Sequence, residues 1–281
     1  MLWHSLSTYY YVCIPVIYEK QVFPTIKAQI EGCPYTLALR IGTRFPLFLS
    51  KEALDGMKKI PHGTTEWQDL KDIHYKAPSY LIPKITIGDL ILTNLIATES
   101  PSDEKDGDTL GKYLGGEFNL FLDFPHSRII ACHSFTKLKS KGFVNDQWIQ
   151  VPFTTSRVGV ILEVNTDLGL RRFSLSTSLN VSVMKESLFV PNQTFVSSIF
   201  DIGNRKFTNI PLEPLHLPEC LNEVDGFIGM DFLRKNAIYL DYTNKIAYIE
   251  PSQPYFEYLP ITFAKSSMPL IDISIEEKII P

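Results

Sequence analysis

The sequence predicts an all-β fold with a few short helices, laid out as two equivalent lobes. Three observations carry this. Strand formers dominate the 281-residue chain, with 18 Phe and 13 Tyr among many Val, Ile and Thr. The chain is punctuated by 19 prolines and 15 glycines, which suits short strands joined by turns. One order of strands and turns is also written twice, the mark of a duplicated unit.

In chain order, each unit opens on a short strand ending in an apolar residue and proline, Ile14-Pro15 and Val151-Pro152. A half-buried strand, a turn and a second strand follow, running to Arg40 in the first copy and Ser176 in the second. Pro24 and Arg40 are 16 residues apart, Gly159 and Ser176 are 17 apart, so the two copies keep register. A helix is predicted over Ser50–Lys59, with Ser50 as its cap and Glu52 in its first turn. Leu81–Thr98 then matches Ile199–Leu215: a strand, an Ile-Gly-Asp or Ile-Gly-Asn turn whose glycine suits positive φ, and a second strand. Tyr113–Ile130 matches Phe227–Ile249: an apolar pair and glycine, an acid, Phe, a strand ending Leu-Asp-aromatic, a polar turn and a returning strand. Asp123 and Asp241 fall at equivalent places. The lobes are expected at residues 1–140 and 148–250, with the boundary near Lys139–Gln150. Residues 251–281 begin like a third unit and are read as a closing strand for the sheet, or as the start of an incomplete third repeat.

This order resembles the retropepsin-like and pepsin-like aspartic protease family, over nearly the whole chain. The most specific piece is Phe227–Leu233, similar to the family's Ile-Leu-Gly-Met-Asp-Phe-Leu. The resemblance implies two β-barrel lobes with an interlobe cleft, and apolar–apolar–Gly turns at Tyr113-Leu114-Gly115 and Phe227-Ile228-Gly229. It also implies a flap within His62–Tyr80, with a shorter matching segment near Leu188–Phe200. The signature Asp-Thr-Gly loops would be Arg40-Ile41-Gly42 and Ser176-Thr177-Ser178, and these six residues are the candidates to line the cleft.

Those loops lack the family's chemistry. Its reaction needs two carboxylates sharing one proton, one acting as base and the other as acid. Arg40 is a permanent cation with no lone pair to accept a proton, and Ser176 is neutral. No Asp-Thr-Gly or Asp-Ser-Gly occurs in the chain. The catalytic set is therefore read as none. Asp123 and Asp241 are the equivalent aspartates that remain, and are read as turn carboxylates that accept backbone N–H bonds.

Other chemistries are weaker. Ser176-Thr177-Ser178 lacks a Gly-x-Ser-x-Gly elbow. His4, His62, His74, His126, His133 and His216 show no HxxxH or HExxH spacing, so no metal and no cofactor is expected. Cys13, Cys33, Cys132 and Cys220 form no CxxC; they are read as free or buried thiols, with a pair inside the first half left open. Asn180-Val181-Ser182 and Asn192-Gln193-Thr194 match the glycosylation pattern, which is short and is discounted. A net charge of −4 without a basic stripe argues against a nucleic-acid groove. No apolar run is long enough for a membrane span. Met1–Val16 reads as a strand rather than a signal peptide; the sequence assigns no compartment.

The functional expectation is a catalytically inactive protease-like protein that holds a peptide or protein segment in the cleft. Arg40, with Arg44 nearby, is read either as internally paired or as the holder of an anionic group such as a peptide carboxylate. Two alternatives stand beside this: an endopeptidase with carboxylates supplied from outside the usual positions, and a structural or small-ligand-binding protein on the same scaffold.

Overall fold

The computed structural model describes residues 11–18, 23–43, 45–68, 73–101, 108–111, 118–189, 195–197, 199–208, 210–251, 262–263 and 269–270. Residues 1–251 form one compact unit and residues 252–281 a second.

Six antiparallel strands build a central sheet in the first unit. Their order is Tyr11–Pro15, Arg128–Cys132, Asn119–Asp123, Ile238–Asp241, Ile246–Ile249 and Ile149–Ser156. Three strands come from each half of the sequence, and the halves meet where Leu120, Phe121 and Leu122 pair with Leu240, Tyr239 and Ile238. These six side chains are almost fully enclosed. A strand buried on both faces needs a continuous apolar run, which the sequence supplies at this seam. Asn119 bridges the seam: its amide donates to the Tyr239 hydroxyl at 3.0 Å and its carbonyl oxygen accepts from the Tyr242 N–H at 2.9 Å. One face of the sheet is covered by the helix Phe135–Ser140 together with Val144 and Trp148. This segment also carries the chain from the first half to the second.

Each half then builds the same small motif. In the first, the hairpin Thr25–Ile30/Cys33–Leu39 lays its second strand parallel to Thr109–Leu110, which is antiparallel to Leu47–Leu49, itself parallel to Leu90–Glu99. In the second, Gly159–Thr166/Gly169–Leu175 lies parallel to Gly226–Ile228, which is antiparallel to Val183–Lys185, itself parallel to Ile210–Leu215. The duplication legible in the sequence is thus a duplication of topology. The predicted hairpin glycines Gly88 and Gly203 both take positive φ, 56° and 60°.

The predicted helix after Ser50 is shorter than expected. It spans Lys51–Asp55, with the Ser50 hydroxyl accepting from the Ala53 N–H at 3.2 Å. Gly56 ends it, and Lys59 Nζ returns to the Leu54 carbonyl at 2.6 Å. The segment expected to be a flap is a long hairpin, Ile60–Gln68 paired with His74–Ile87. In the matching part of the second half, Phe195–Ser197 is a short strand. Cys13, Cys33 and Cys132 are free thiols, the first two exposed and the third buried, so no pair forms among them. No described helix is long and apolar enough to cross a membrane.

In the second unit, Thr262–Phe263 pairs with Pro269–Leu270 as a two-stranded sheet of its own.

Candidate functional site

The two signature loops emerge from matched strands. Cys33–Leu39 and Gly169–Leu175 share one burial pattern, exposed at the start and enclosed over the last three residues. At the end of each, the next N–H is captured by the parallel neighbour. Arg40 N–H donates to the Leu110 carbonyl at 2.8 Å, and Ser176 N–H donates to the Ile228 carbonyl at 2.9 Å. Arg40 and Ser176 therefore hold equivalent positions by backbone bonding as well as by sequence register.

One side chain ties the two loops together. The Thr177 hydroxyl accepts the Ile41 N–H at 3.1 Å and donates to the Leu39 carbonyl at 2.6 Å, both bonds buried. These acceptor and donor groups flank Arg40 in the opposite lobe. The pseudo-equivalent residue Ile41 has no hydroxyl to return the contact and is instead buried among apolar neighbours. Gly42 completes the approach: a Cβ there would sit 3.1 Å from the Leu175 carbonyl oxygen and 3.7 Å from Ser176 Cβ. Gly159, at φ +100°, lies against Gly42 Cα and the Ile41 carbonyl, where a side chain would crowd the loop. The structure thus brings Ile41 and Gly42 against Thr177 and Ser176.

The second loop is braced internally by hydroxyls. Ser176 Oγ accepts the Ser178 N–H at 3.3 Å, and the fully buried Ser174 donates to the Val158 carbonyl at 2.6 Å. Ser182 Oγ accepts the Gly229 N–H at 3.0 Å and donates to Asp231 Oδ1 at 2.8 Å. The serine of the Asn180-Val181-Ser182 pattern thus has a structural task, while Asn180 is exposed. Asn192-Gln193-Thr194 lies outside the described residues, as does Arg44.

Both loops lie beside a short strand that is followed by glycine. In the second lobe Phe227-Ile228-Gly229 takes this place, with Ile228 paired to Leu175. The residues that occupy the same place in the first lobe are Thr109-Leu110-Gly111, with Leu110 paired to Leu39. Tyr113, Leu114 and Gly115 lie outside the described residues. The glycines show why the residue is required. A Cβ on Gly111 would fall 2.0 Å from the Phe45 carbonyl oxygen, and one on Gly229 would fall 2.4 Å from the Val181 carbonyl oxygen. Gly111 N–H donates to the Pro46 carbonyl at 2.9 Å, the counterpart of Gly229 on Ser182. Thr109 breaks the apolar pair, so Gly111 does not stand out in the sequence, although a buried β-branched threonine serves in a strand equally well.

Asp123 and Asp241 are tied to their own turns. Asp123 is nearly fully enclosed, with one oxygen 2.5 Å from Arg128 Nε and the other 2.7 Å from His126 Nδ1. Asp241 accepts the backbone N–H of Asn244 at 2.9 Å and its side-chain amide at 2.8 Å. The pairing of Leu120 with Leu240 puts Asp241 opposite the start of Asn119–Asp123, while Asp123 lies at its end. The two carboxylates are separated by four residues along the strand, about 13 Å at the usual rise, too far to share a proton.

Arrangements that sequence spacing did not reveal surround the first loop. Trp67 and Tyr75 of the long hairpin stack on each other, and Trp67 meets Phe45 and Phe48 edge-on. Among the described residues there is no group of three or more His, Cys, Asp or Glu side chains able to hold a metal ion.

No family model matches the sequence, and no curated protein matches it. Solved structures do. Basic 7S globulin from soybean superposes with a TM-score of 0.58 at 10% identity, covering 85% of this chain and 94% of that one. An aspartic proteinase from Irpex lacteus gives a TM-score of 0.49 at 13% identity, covering 85% and 97%. At such identity the likeness bears on the fold alone. With the repeated strand motif and the paired loops, it establishes an all-β, two-lobed fold of the aspartic-protease type.

Proposed function

We propose that this chain is a non-catalytic protein on the aspartic-protease scaffold, holding an extended peptide or protein segment between its lobes. The reading rests on the two loop positions that backbone bonding makes equivalent, where the sequence has a cation, Arg40, and a hydroxyl, Ser176. Arg40 and Ser176 supply N–H and O–H donors; neither can take a proton from water as a base at ordinary pH. The equivalent carboxylates of the two halves, Asp123 and Asp241, are engaged in their own turns. Acid–base hydrolysis by this fold's route therefore has no pair to run it.

The scaffold around the loops is nevertheless kept. Thr177 clasps the opposing loop, Gly111 and Gly229 are packed without room for a side chain, and Gly159 leaves space for Gly42. Such retention supports a continuing use of the space between the loops. Extended polypeptide is the ligand class that suits a site bordered by strands, because it can add main-chain bonds to them. Arg40 adds a preference for an anionic group such as a carboxylate.

The test is to pan a random-peptide library on the wild-type protein and titrate the selected peptides against Arg40→Glu and Ser176→Leu. The reading expects peptides that lose at least tenfold in affinity on Arg40→Glu. Failure to enrich any peptide, or affinity unchanged by both substitutions, would remove it.

A further inference from the structure

We propose that Trp67 is a latch that fixes the long hairpin of the first lobe against the chain leaving the Arg40 loop. On the hairpin, Trp67 pairs with Tyr75, Thr65 with Ala77 and Gly63 with Ser79. Alternation places Thr65, Trp67, Tyr75, Ala77 and Ser79 on one face, and burial follows: these residues are half-buried or buried, whereas Thr64, Glu66 and Lys76 on the other face are exposed. The exposed face carries an ion pair, Lys76 Nζ to Glu66 at 2.6 Å.

On the covered face Trp67 sits at the centre of an aromatic group. It stacks on Tyr75 with ring centres 5.2 Å apart and planes at 14°. It meets Phe45 at 5.5 Å and 70°, and Phe48 at 5.3 Å and 72°. Phe45 and Phe48 are edge-on to each other at 4.5 Å. These separations and angles are the favourable offset and edge-to-face geometries of aromatic rings.

The two sides of this contact differ in rigidity. Phe45 and Phe48 stand on a closely packed, hydrogen-bonded platform. The Phe45 carbonyl abuts Gly111, the Pro46 carbonyl accepts the Gly111 N–H, and Phe48 lies in the strand Leu47–Leu49 between two neighbours. The hairpin is an outer element: Ile60–Gln68 is the edge of its seven-stranded sheet and pairs with a single strand. Its root is held by a row of hydroxyls, with Ser79 bonded to Thr65 and, at 3.3 Å, to Thr98 of the next strand. Beyond that row, Trp67 provides the aromatic link from the edge strand to the platform.

The latch has a functional sense. Phe45 and Phe48 follow Arg40 by five and eight residues. A ligand side chain that reached them would have to take the place of the Trp67 ring. Trp67 thereby sets whether the ground beside the Arg40 loop is covered by the protein itself. The latch stands whether or not a peptide binds, and its test uses no ligand.

Amide hydrogen exchange on the whole chain provides that test, comparing wild type with Trp67→Ala, Trp67→Phe, Tyr75→Ala and a remote control, Phe135→Ala. Trp67→Ala is expected to speed exchange over residues 60–68 and 74–80 at least tenfold while residues 119–123 and 238–241 keep their protection. Trp67→Phe, which keeps a ring on the platform, should give a smaller rise, and Phe135→Ala none in the hairpin. Hairpin exchange unchanged in both Trp67→Ala and Tyr75→Ala would overturn the latch. Equal loosening of the hairpin and the central strands in Trp67→Ala would also overturn it, since Trp67 would then be an ordinary part of the core.

Discussion

Thr177 and Ile41 face each other across the two lobes, and only one of them has a hydroxyl. Thr177 Oγ1 accepts the Ile41 N–H and donates its O–H to the Leu39 carbonyl, so one side chain clasps the opposing loop on both sides of Arg40. Replacing Thr177 with Val keeps the shape but leaves a buried N–H and a buried C=O unpaired. Each orphan costs about 1–3 kcal/mol, so Thr177→Val should lower unfolding stability by about 2–4 kcal/mol in a urea titration. Ile41→Val removes a single methylene and should cost about 1 kcal/mol. Similar losses for both would mean that the clasp has no special weight.

Gly111 and Gly229 should tolerate no side chain. Both would drive a Cβ into a backbone carbonyl, at 2.0 and 2.4 Å. Gly111→Ala and Gly229→Ala are each expected to cost several kcal/mol, on the order of the larger core overpacking penalties, read as lost soluble yield or a fall in Tm. A wild-type Tm for Gly111→Ala would contradict the assignment of Thr109-Leu110-Gly111 as the partner of Phe227-Ile228-Gly229.

The buried Cys132 gives a pH prediction. Burial pushes its thiol up to about 11, so it stays neutral in the folded protein. Burial likewise raises the phenols of Tyr239, Tyr242 and Tyr248. A raised folded pKa gives stability that is complete below the unfolded pKa, near 9 for the thiol, and is lost as pH rises through the folded one. Stability should therefore decline from about pH 9 upward, with the thiol contributing on the order of 2 kcal/mol by pH 11. Cys132→Ala should flatten that decline. The same burial predicts that a thiol reagent modifies the exposed Cys13 and Cys33 in the native protein and reaches Cys132 only on unfolding.

Asp123 should be needed for stability. Asp123→Asn deprives Arg128 and His126 of an enclosed carboxylate. Breaking such a partly buried pair costs about 2–3 kcal/mol. Asp241→Asn keeps a carbonyl oxygen for the Asn244 N–H and should cost about 1 kcal/mol. Urea unfolding of the two variants checks the order; a larger loss for Asp241→Asn would contradict it.

Much of this architecture is legible in the residues. The Leu-Asp-aromatic strands, the Ile-Gly turns and the register of Arg40 with Ser176 come from local patterns, and topology preserves local order. The first-lobe glycine is less legible: Gly111 and Gly115 lie four residues apart, and it is the parallel pairing of Leu110 with Leu39 that marks Gly111. The helix after Ser50 is shorter than the sequence suggests because Gly56 ends it. The clasp by Thr177 and the contact of Trp67 with Phe45 and Phe48 join residues far apart in sequence, and no spacing rule encodes such pairs. The serine braces around Ser182 were hidden for a similar reason: a glycosylation pattern gives the same short string another meaning.

The central claim is that the two loops hold no catalytic carboxylate pair. The most direct measurement is cleavage of a broad peptide mixture by the purified protein between pH 3 and 7, with and without a pepstatin-type inhibitor. The account predicts no inhibitor-sensitive cleavage at any pH, and the same blank result for Arg40→Ala and Ser176→Ala. Pepstatin-sensitive cleavage that copurifies with the wild-type chain would contradict it.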